Sequence, residues 1–296
     1  MDNKKIILVI PYRGIGDLIF HLPLLRGLYR KYKSKIIVIT NSSNKAKLIL
    51  KKEFSIKKIE YINFQREKQI KNSFLFLKKI NDFKADICVL TAPSRRLVIP
   101  LLMSNVKKKV FFKKDEVRDL SKYIISQSIK IFRDINFIKK YDLKFSKTKI
   151  KGKKVFLSID SHHNQNNWRE DYFIKFTQKL LVKKKIKKIY INFSPNKKTE
   201  FQKILKKFSK DKKIHFTCGE KFEKIITIIN NCSFIVGNES GPACLGASMG
   251  KNVFSIYDPK HTPNLSSKII NKKITYFNSK KLNVDSIIKK LVSKIN

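Results

Sequence analysis

Residues 5–17 read KIILVIPYRGIGD, and this stretch decides how the chain folds. Ile6 to Ile10 is an unbroken apolar run, the pattern of a strand buried on both faces of a parallel sheet. Gly14 and Gly16 then let the backbone turn tightly and approach a partner closely. Beyond Asp17 the period becomes helical, with Leu18, Leu22, Leu25, Tyr29 and Tyr32 on one stripe. Pro23 suits a first turn, so the helix begins near Phe20 or kinks there. A buried strand, a glycine turn and an amphipathic helix open an α/β unit.

The same alternation continues outward. Strands are predicted at 35–40, 58–62, 86–90 and 107–112, with helices between them that include 67–81 and 117–134. Residues 144–154 (KFSKTKIKGKK) are basic, contain a glycine and lack apolar periodicity, which places a linker there. The alternation then restarts: strands at 155–160, 187–193, 213–217, 233–237 and 252–257, and helices at 171–183, 197–209, 221–231, from about 241, and at 284–294. The reading is α/β, with two Rossmann-like domains, 1–150 and 151–296, facing an interdomain cleft; the final helix is left free to pack back on the first domain.

Composition excludes several classes. With 42% hydrophobic and 30% charged residues, the chain suits a folded protein and not a disordered one. No apolar run reaches the roughly 18–20 residues that span a bilayer. Lys4, Lys5 and IILVIP look like a leader only until Pro11, Arg13 and Asp17, so a cytoplasmic chain is expected. Cys88, Cys218, Cys232 and Cys244 have no CxxC spacing and read as small buried residues. The net charge of +45 favours anionic partners, yet it comes from 58 Lys against 9 Arg spread through nearly every segment. That is a basic surface; it is not the patch or stripe of a nucleic-acid groove.

Ligands of open α/β sheets collect beyond the carboxyl ends of strands, here the loops 11–17, 160–169, 193–200 and 237–242. The first loop is no dinucleotide fingerprint, because Ile19 stands where GxGxxG needs glycine and the second strand ends on Thr40-Asn41 instead of an acid. Asp17 is either a helix cap or a functional carboxylate. In residues 236–250 (VGNESGPACLGASMG) a buried strand meets a helix at Glu239-Ser240-Gly241, which is an ordinary capped helix start or a phosphate site. His162 and His163 point in opposite directions if extended and lack a zinc-ligand pattern. Trp168 reads as packing.

Taken in order, these motifs resemble the heptosyltransferase family, glycosyltransferase family 9. RGIGDLIFHLPLLRGL (13–28) is similar to its opening Gly-Asp and Leu-Pro pattern. SIDSHHNQNNW (158–168), INFSPNKKTE (191–200) and NESGPACLGASMGKNVFSIYDP (238–259) are similar to its later signatures. Three positions depart from the family: Glu239 replaces Asp, Cys244 replaces His, and Asn166-Asn167 precede Trp168 where relatives carry a base. The resemblance implies the GT-B fold and inverting transfer of a sugar from a nucleotide diphosphate donor, ADP-heptose first, to a lipopolysaccharide-core-type hydroxyl. Residues 1–150 would bind the acceptor and 151–296 the donor.

On this reading Asp17 is the general base and the leaving diphosphate rests against Ser240 and Gly241. Glu239, Ser161, His162 and Arg169 join the donor site, and Glu200 matches a ribose contact. Arg13, Gly14 and Gly16 form the acceptor loop. Arg95 and Arg96 either bind an anionic group of the acceptor or are a solvated pair. No metal and no cofactor beyond the donor is implied. Partners are an anionic glycolipid and the anionic inner face of the cytoplasmic membrane, held by charge without insertion, and not nucleic acid. The alternatives are a transferase for another nucleotide sugar, or a non-catalytic anion- or nucleic-acid-binding protein.

Overall fold

A computed structural model describes residues 4–63, 69–113, 120–133, 141–145, 153–160, 168–257, 274–278 and 283–294. The chain divides into two compact units, Met1–Lys144 and Phe145–Asn296.

In the first unit, strands β1 (Ile6–Ile10), β2 (Ile36–Thr40), β3 (Ile56–Tyr61), β4 (Ile87–Leu90) and β5 (Lys108–Phe111) form a parallel sheet in the order β3-β2-β1-β4-β5. All five residues of β1 are buried, since side chains alternate between two covered faces. On one face Ile7, Val9, Ile37, Ile39, Cys88 and Leu90 meet Phe76 and Ile80 of α4 (Gln69–Asp82) and Leu97 and Leu101 of α5 (Arg95–Met103). Helices α1 (Ile15–Phe20), α2 (Leu22–Tyr32) and α6 (Leu120–Phe132) pack together, and a short α3 (Ala46–Ile49) follows β2.

The kink near Phe20 is a full break. Helix α1 starts at Ile15, ahead of the predicted onset, and stops at Phe20; α2 begins after His21. Pro23 has no N–H to give the carbonyl of Ile19 and its ring crowds that carbonyl, which favours the break at His21.

The second unit holds β6 (Lys153–Ser158), β7 (Ile186–Asn192), β8 (Ile214–Phe216), β9 (Phe234–Asn238), β10 (Asn252–Tyr257) and β11 (Ile274–Asn278), all parallel, in the order β11-β10-β9-β6-β7-β8. Its helices are α7 (Glu170–Leu181), α8 (Gln202–Phe208), α9 (Phe222–Asn230), α10 (Gly241–Ser248) and α11 (Val284–Ser293). The helix predicted at 197–209 is a 3-10 turn, Pro195–Lys197, followed by the shorter α8. Val284, Ile287, Ile288 and Leu291 are buried in the core of the second unit, and α11 packs on α7. Strand β11 was not predicted; it is a half-buried edge with a short apolar signal.

Strand order changes direction between β1 and β4 in one sheet and between β6 and β9 in the other. These switch points are where open α/β sheets leave a crevice at the carboxyl ends of their strands. They single out the turns after β1 and β4, and those after β6 and β9.

Candidate functional site

The turn after β1 is built around one carboxylate. Gly14 precedes α1 in extended conformation, and its N–H donates to Asp17 Oδ2 at 3.1 Å. Asp17 thus caps its own helix. A Cβ on Gly14 would lie 2.6 Å from that oxygen, so a larger residue there would make the Asp17 carboxylate shift. Oδ1 makes no hydrogen bond to the described residues. Burial pushes the Asp17 carboxyl above the usual carboxylate range, and the Gly14 N–H partly opposes that rise.

Beneath it, His21 fills the break between α1 and α2 and is buried. Burial lowers its pKa to about 4, so the ring is neutral near neutral pH. Its Nδ1–H donates to the Asp17 carbonyl at 2.6 Å, which leaves Nε2 to accept from Thr91 Oγ1, 3.0 Å away at the end of β4. Thr91 Oγ1 is also 3.0 Å from the Val9 carbonyl, so its single proton serves one acceptor at a time. The loop before Gly14 is held from the β2 side. Asn44 donates to the Tyr12 carbonyl at 3.3 Å and Ser43 to the Arg13 carbonyl at 3.0 Å. Burial raises the Tyr12 phenol, with Tyr123 and Asp17 adding to the effect. Arg13 and Gly14 are exposed and Gly16 is half-buried. Arg95 and Arg96 are the first two residues of α5, at the carboxyl end of β4. Arg95 is exposed and Arg96 half-buried, at the helix end where the dipole disfavours cations and attracts anions.

The turn after β9 has the opposite character. A Cβ on Gly237 would fall 2.0 Å from the Ser158 carbonyl oxygen, so the β9 and β6 backbones approach as only glycine allows. Ser240 precedes α10, yet its side chain does not cap the helix; its Oγ lies 3.0 Å from Ser158 Oγ. The first turn of α10 is therefore left without a side-chain cap, with Glu239, Ser240 and Gly241 half-buried around it. Cys244 is buried within α10.

Two residues that organise this end were not foreseen. Asn238 is buried, accepts from the Trp168 N–H at 2.9 Å and donates to the Ile159 carbonyl at 2.9 Å, tying β9 to β6 and to the start of α7. Asp160 accepts from the Ser194 N–H at 3.1 Å and pairs with Lys197 at 2.8 Å, fastening the loop after β7. Each is a polar residue closing a buried apolar run, and that was the available signal. Trp168 is buried against Phe173 and Phe176 and stacks on Tyr172 at 5.7 Å. Exposed Arg169 lies over the other partner of that stack, 5.8 Å from the Tyr172 ring centre. Glu200 is exposed after β7, one strand from the switch point, with Lys197 Nζ 3.9 Å from its carboxylate. Ser161 and His162 lie outside the described residues.

Two doubly wound parallel sheets, each with a switch point beside a glycine, define the GT-B fold. Solved structures share the fold. A glycosyltransferase family 9 protein from Veillonella parvula DSM 2008 matches with TM-score 0.79 at 16% identity, over 100% of this chain and 90% of that one. The E. coli ADP-heptose lps heptosyltransferase II matches with TM-score 0.77 at 12% identity, over 98% of each chain. The E. coli heptosyltransferase WaaC, solved with ADP, matches with TM-score 0.72 at 11% identity, over 99% and 100%. A sequence comparison with curated proteins finds no match. The family model for glycosyltransferase family 9 (heptosyltransferase) matches residues 116–292. The chain belongs to that family, and the protein is a glycosyltransferase.

Proposed function

We propose that the protein transfers a sugar with inversion from an ADP-linked donor, heptose from ADP-heptose before others, to a hydroxyl of a lipopolysaccharide-core-type glycolipid at the inner face of the cytoplasmic membrane. The observation that carries the donor half is the uncapped start of α10, where Ser240 is turned aside and backbone N–H groups and the helix dipole favour a diphosphate. Glu239, Ser240 and Gly241 would hold that diphosphate. Arg169, Glu200, Ser161 and His162 would supply contacts to the rest of the donor.

Asp17 is the base. As the acceptor oxygen attacks the anomeric carbon, Oδ1 takes its proton while Oδ2 stays fixed by Gly14. The bond from the anomeric carbon to the diphosphate oxygen breaks, and the charge that develops on that oxygen is offset at α10. Burial of Asp17 raises its basicity, which suits this role. Arg13 and the Arg95-Arg96 pair would meet anionic groups of the acceptor, with Gly14 and Gly16 allowing close approach to the loop. A transferase using another nucleotide sugar keeps the same roles and changes only the donor.

Release of nucleotide from ADP-heptose, UDP-sugars and GDP-sugars, in parallel with thermal shift by each nucleotide, tests the donor. ADP-sugars are expected to react and ADP to raise the melting temperature. Turnover confined to UDP-sugars, or stabilisation by NAD in preference to ADP, would overturn the assignment.

A further inference from the structure

Helices α4 and α5 lie side by side and run the same way: Ser73 Oγ donates to the Arg96 carbonyl at 3.0 Å at one end, and the Asn105 N–H donates to Asn81 Oδ1 at 3.0 Å at the other. Their inward residues fill the core described above. Their outward faces are also apolar. On α4, Ile70, Phe74 and Leu75 are 76%, 67% and 40% exposed; on α5, Ile99, Leu102 and Met103 are 54%, 57% and 67% exposed. Ile70 and Phe74 are one turn apart, as are Ile99 and Met103, so each set forms a stripe. Among the described residues these two helices hold most of the large apolar side chains that face solvent. Exposed Lys71 and Lys78 stand on the same face of α4, and exposed Arg95 begins α5. The one acidic residue on either helix is Asp82, at the end of α4.

A contiguous apolar surface rimmed by one sign of charge marks an interaction site. We infer that the α4–α5 face is a membrane-docking surface, on which Ile70, Phe74, Leu102 and Met103 enter the interfacial layer of an anionic bilayer while Lys71, Lys78 and Arg95 meet lipid headgroups. Charge selects this occupant. The chain carries +45, so a second copy on this face would bring two strongly positive bodies together, whereas an anionic surface attracts both the rim and the chain as a whole. No helix among the described residues is long and apolar enough to cross a membrane, so the attachment is peripheral. Composition alone argues for attachment by charge without insertion; the exposed stripes add an apolar anchor. The inference rests on the glycolipid-acceptor reading for its purpose alone. Helix α5 starts at the carboxyl end of β4, beside the strand whose turn bears Asp17, so a bilayer at this face brings a lipid-borne acceptor to that edge of the sheet.

The experiment uses the full chain and vesicles of phosphatidylglycerol with phosphatidylcholine, or phosphatidylcholine alone, without donor or acceptor, so its outcome is separate from that of the transferase reading. The wild type is expected to co-sediment with anionic vesicles and to retain a salt-resistant fraction. Replacing Ile70, Phe74, Leu102 and Met103 together by Ser should lower partitioning roughly tenfold or more, with melting temperature and ADP binding unchanged because these side chains are exposed. In Phe74→Trp, emission should shift to the blue and be quenched by brominated lipid; the native Trp168 is buried in the second unit. Wild-type partitioning of the Ser variant, or an unquenched Trp at 74, would reduce the attachment to charge and overturn the inference. A dimer by sedimentation equilibrium that the Ser variant abolishes would assign the face to a second copy instead.

Discussion

The turns after β1 and β9 are the same device turned to opposite ends. Both leave the carboxyl end of a buried strand beside a switch point, and both depend on a glycine whose missing Cβ makes room. At Gly14 the space is taken by a carboxylate of the helix itself, which accepts from the Gly14 N–H, so the site presents a negative group at the helix start. At Gly237 it is taken by a neighbouring backbone, the serine before α10 turns away, and the helix presents its positive end. One local architecture thus presents a carboxylate in one unit and backbone N–H groups in the other, the groups that the proposed base and diphosphate site would use.

Removing the proposed proton acceptor at the first turn should have the largest effect. Asn at 17 can still accept from the Gly14 N–H, so Asp17→Asn should keep the fold and donor affinity while turnover falls by about 10²–10⁴. Full turnover with unchanged melting temperature would reduce Asp17 to a cap and erase the contrast. At the second turn Asn238→Ala leaves the Trp168 N–H and the Ile159 carbonyl without their partner. A loss of about 2–4 kcal/mol in denaturant unfolding is expected, and nucleotide binding should weaken because α10 is no longer set against β6.

His21 sharpens the comparison through pH. The ring is neutral in the fold down to about pH 4, while the unfolded chain takes a proton near its ordinary 6.5. The unfolded state therefore holds more protons in that window, and stability present above it is lost as pH falls through it. Between about pH 7 and pH 5 the wild type should lose on the order of 2 kcal/mol that His21→Gln does not lose. Equal acid sensitivity of the two proteins would show that His21 is not what ties the Asp17 turn to β4. The smallest effect is expected from Ser240→Ala, which leaves the backbone N–H groups of α10 in place. ADP affinity measured by calorimetry should fall by about three- to tenfold, near 1 kcal/mol, and stability should fall by about as much because Ser158 loses its hydroxyl partner. A far larger loss would mean that the hydroxyl, and not the helix start, holds the phosphate.

Much of this contrast was legible before any coordinates. Asp17, Ser240 and Gly241 stand out because glycine between a buried run and a helical period has few other reasons to be there. The residues that hold the turns were not legible. His21 and Thr91 are 70 residues apart, as are Trp168 and Asn238, and nothing local to either partner announces the bond. Asn238 and Asp160 read as the polar ends of strands because their partners come from other strands and loops. Strand β11 is unmarked for a related reason: a half-buried edge shows little alternation.

The sequence by itself determined that the chain is two α/β halves, since unbroken apolar runs spaced by amphipathic segments can bury both faces of a strand only in a parallel, helix-covered sheet. It also determined which turns could bring backbone close to a ligand. Tertiary structure alone decided strand order, and so which turns share a switch point. It decided as well which apolar residues of α4 and α5 face the core and which face solvent. Parallel pairing is made by hydrogen bonds between segments distant in the chain, and neither their partners nor the outward side of an apolar helix is written in local periodicity.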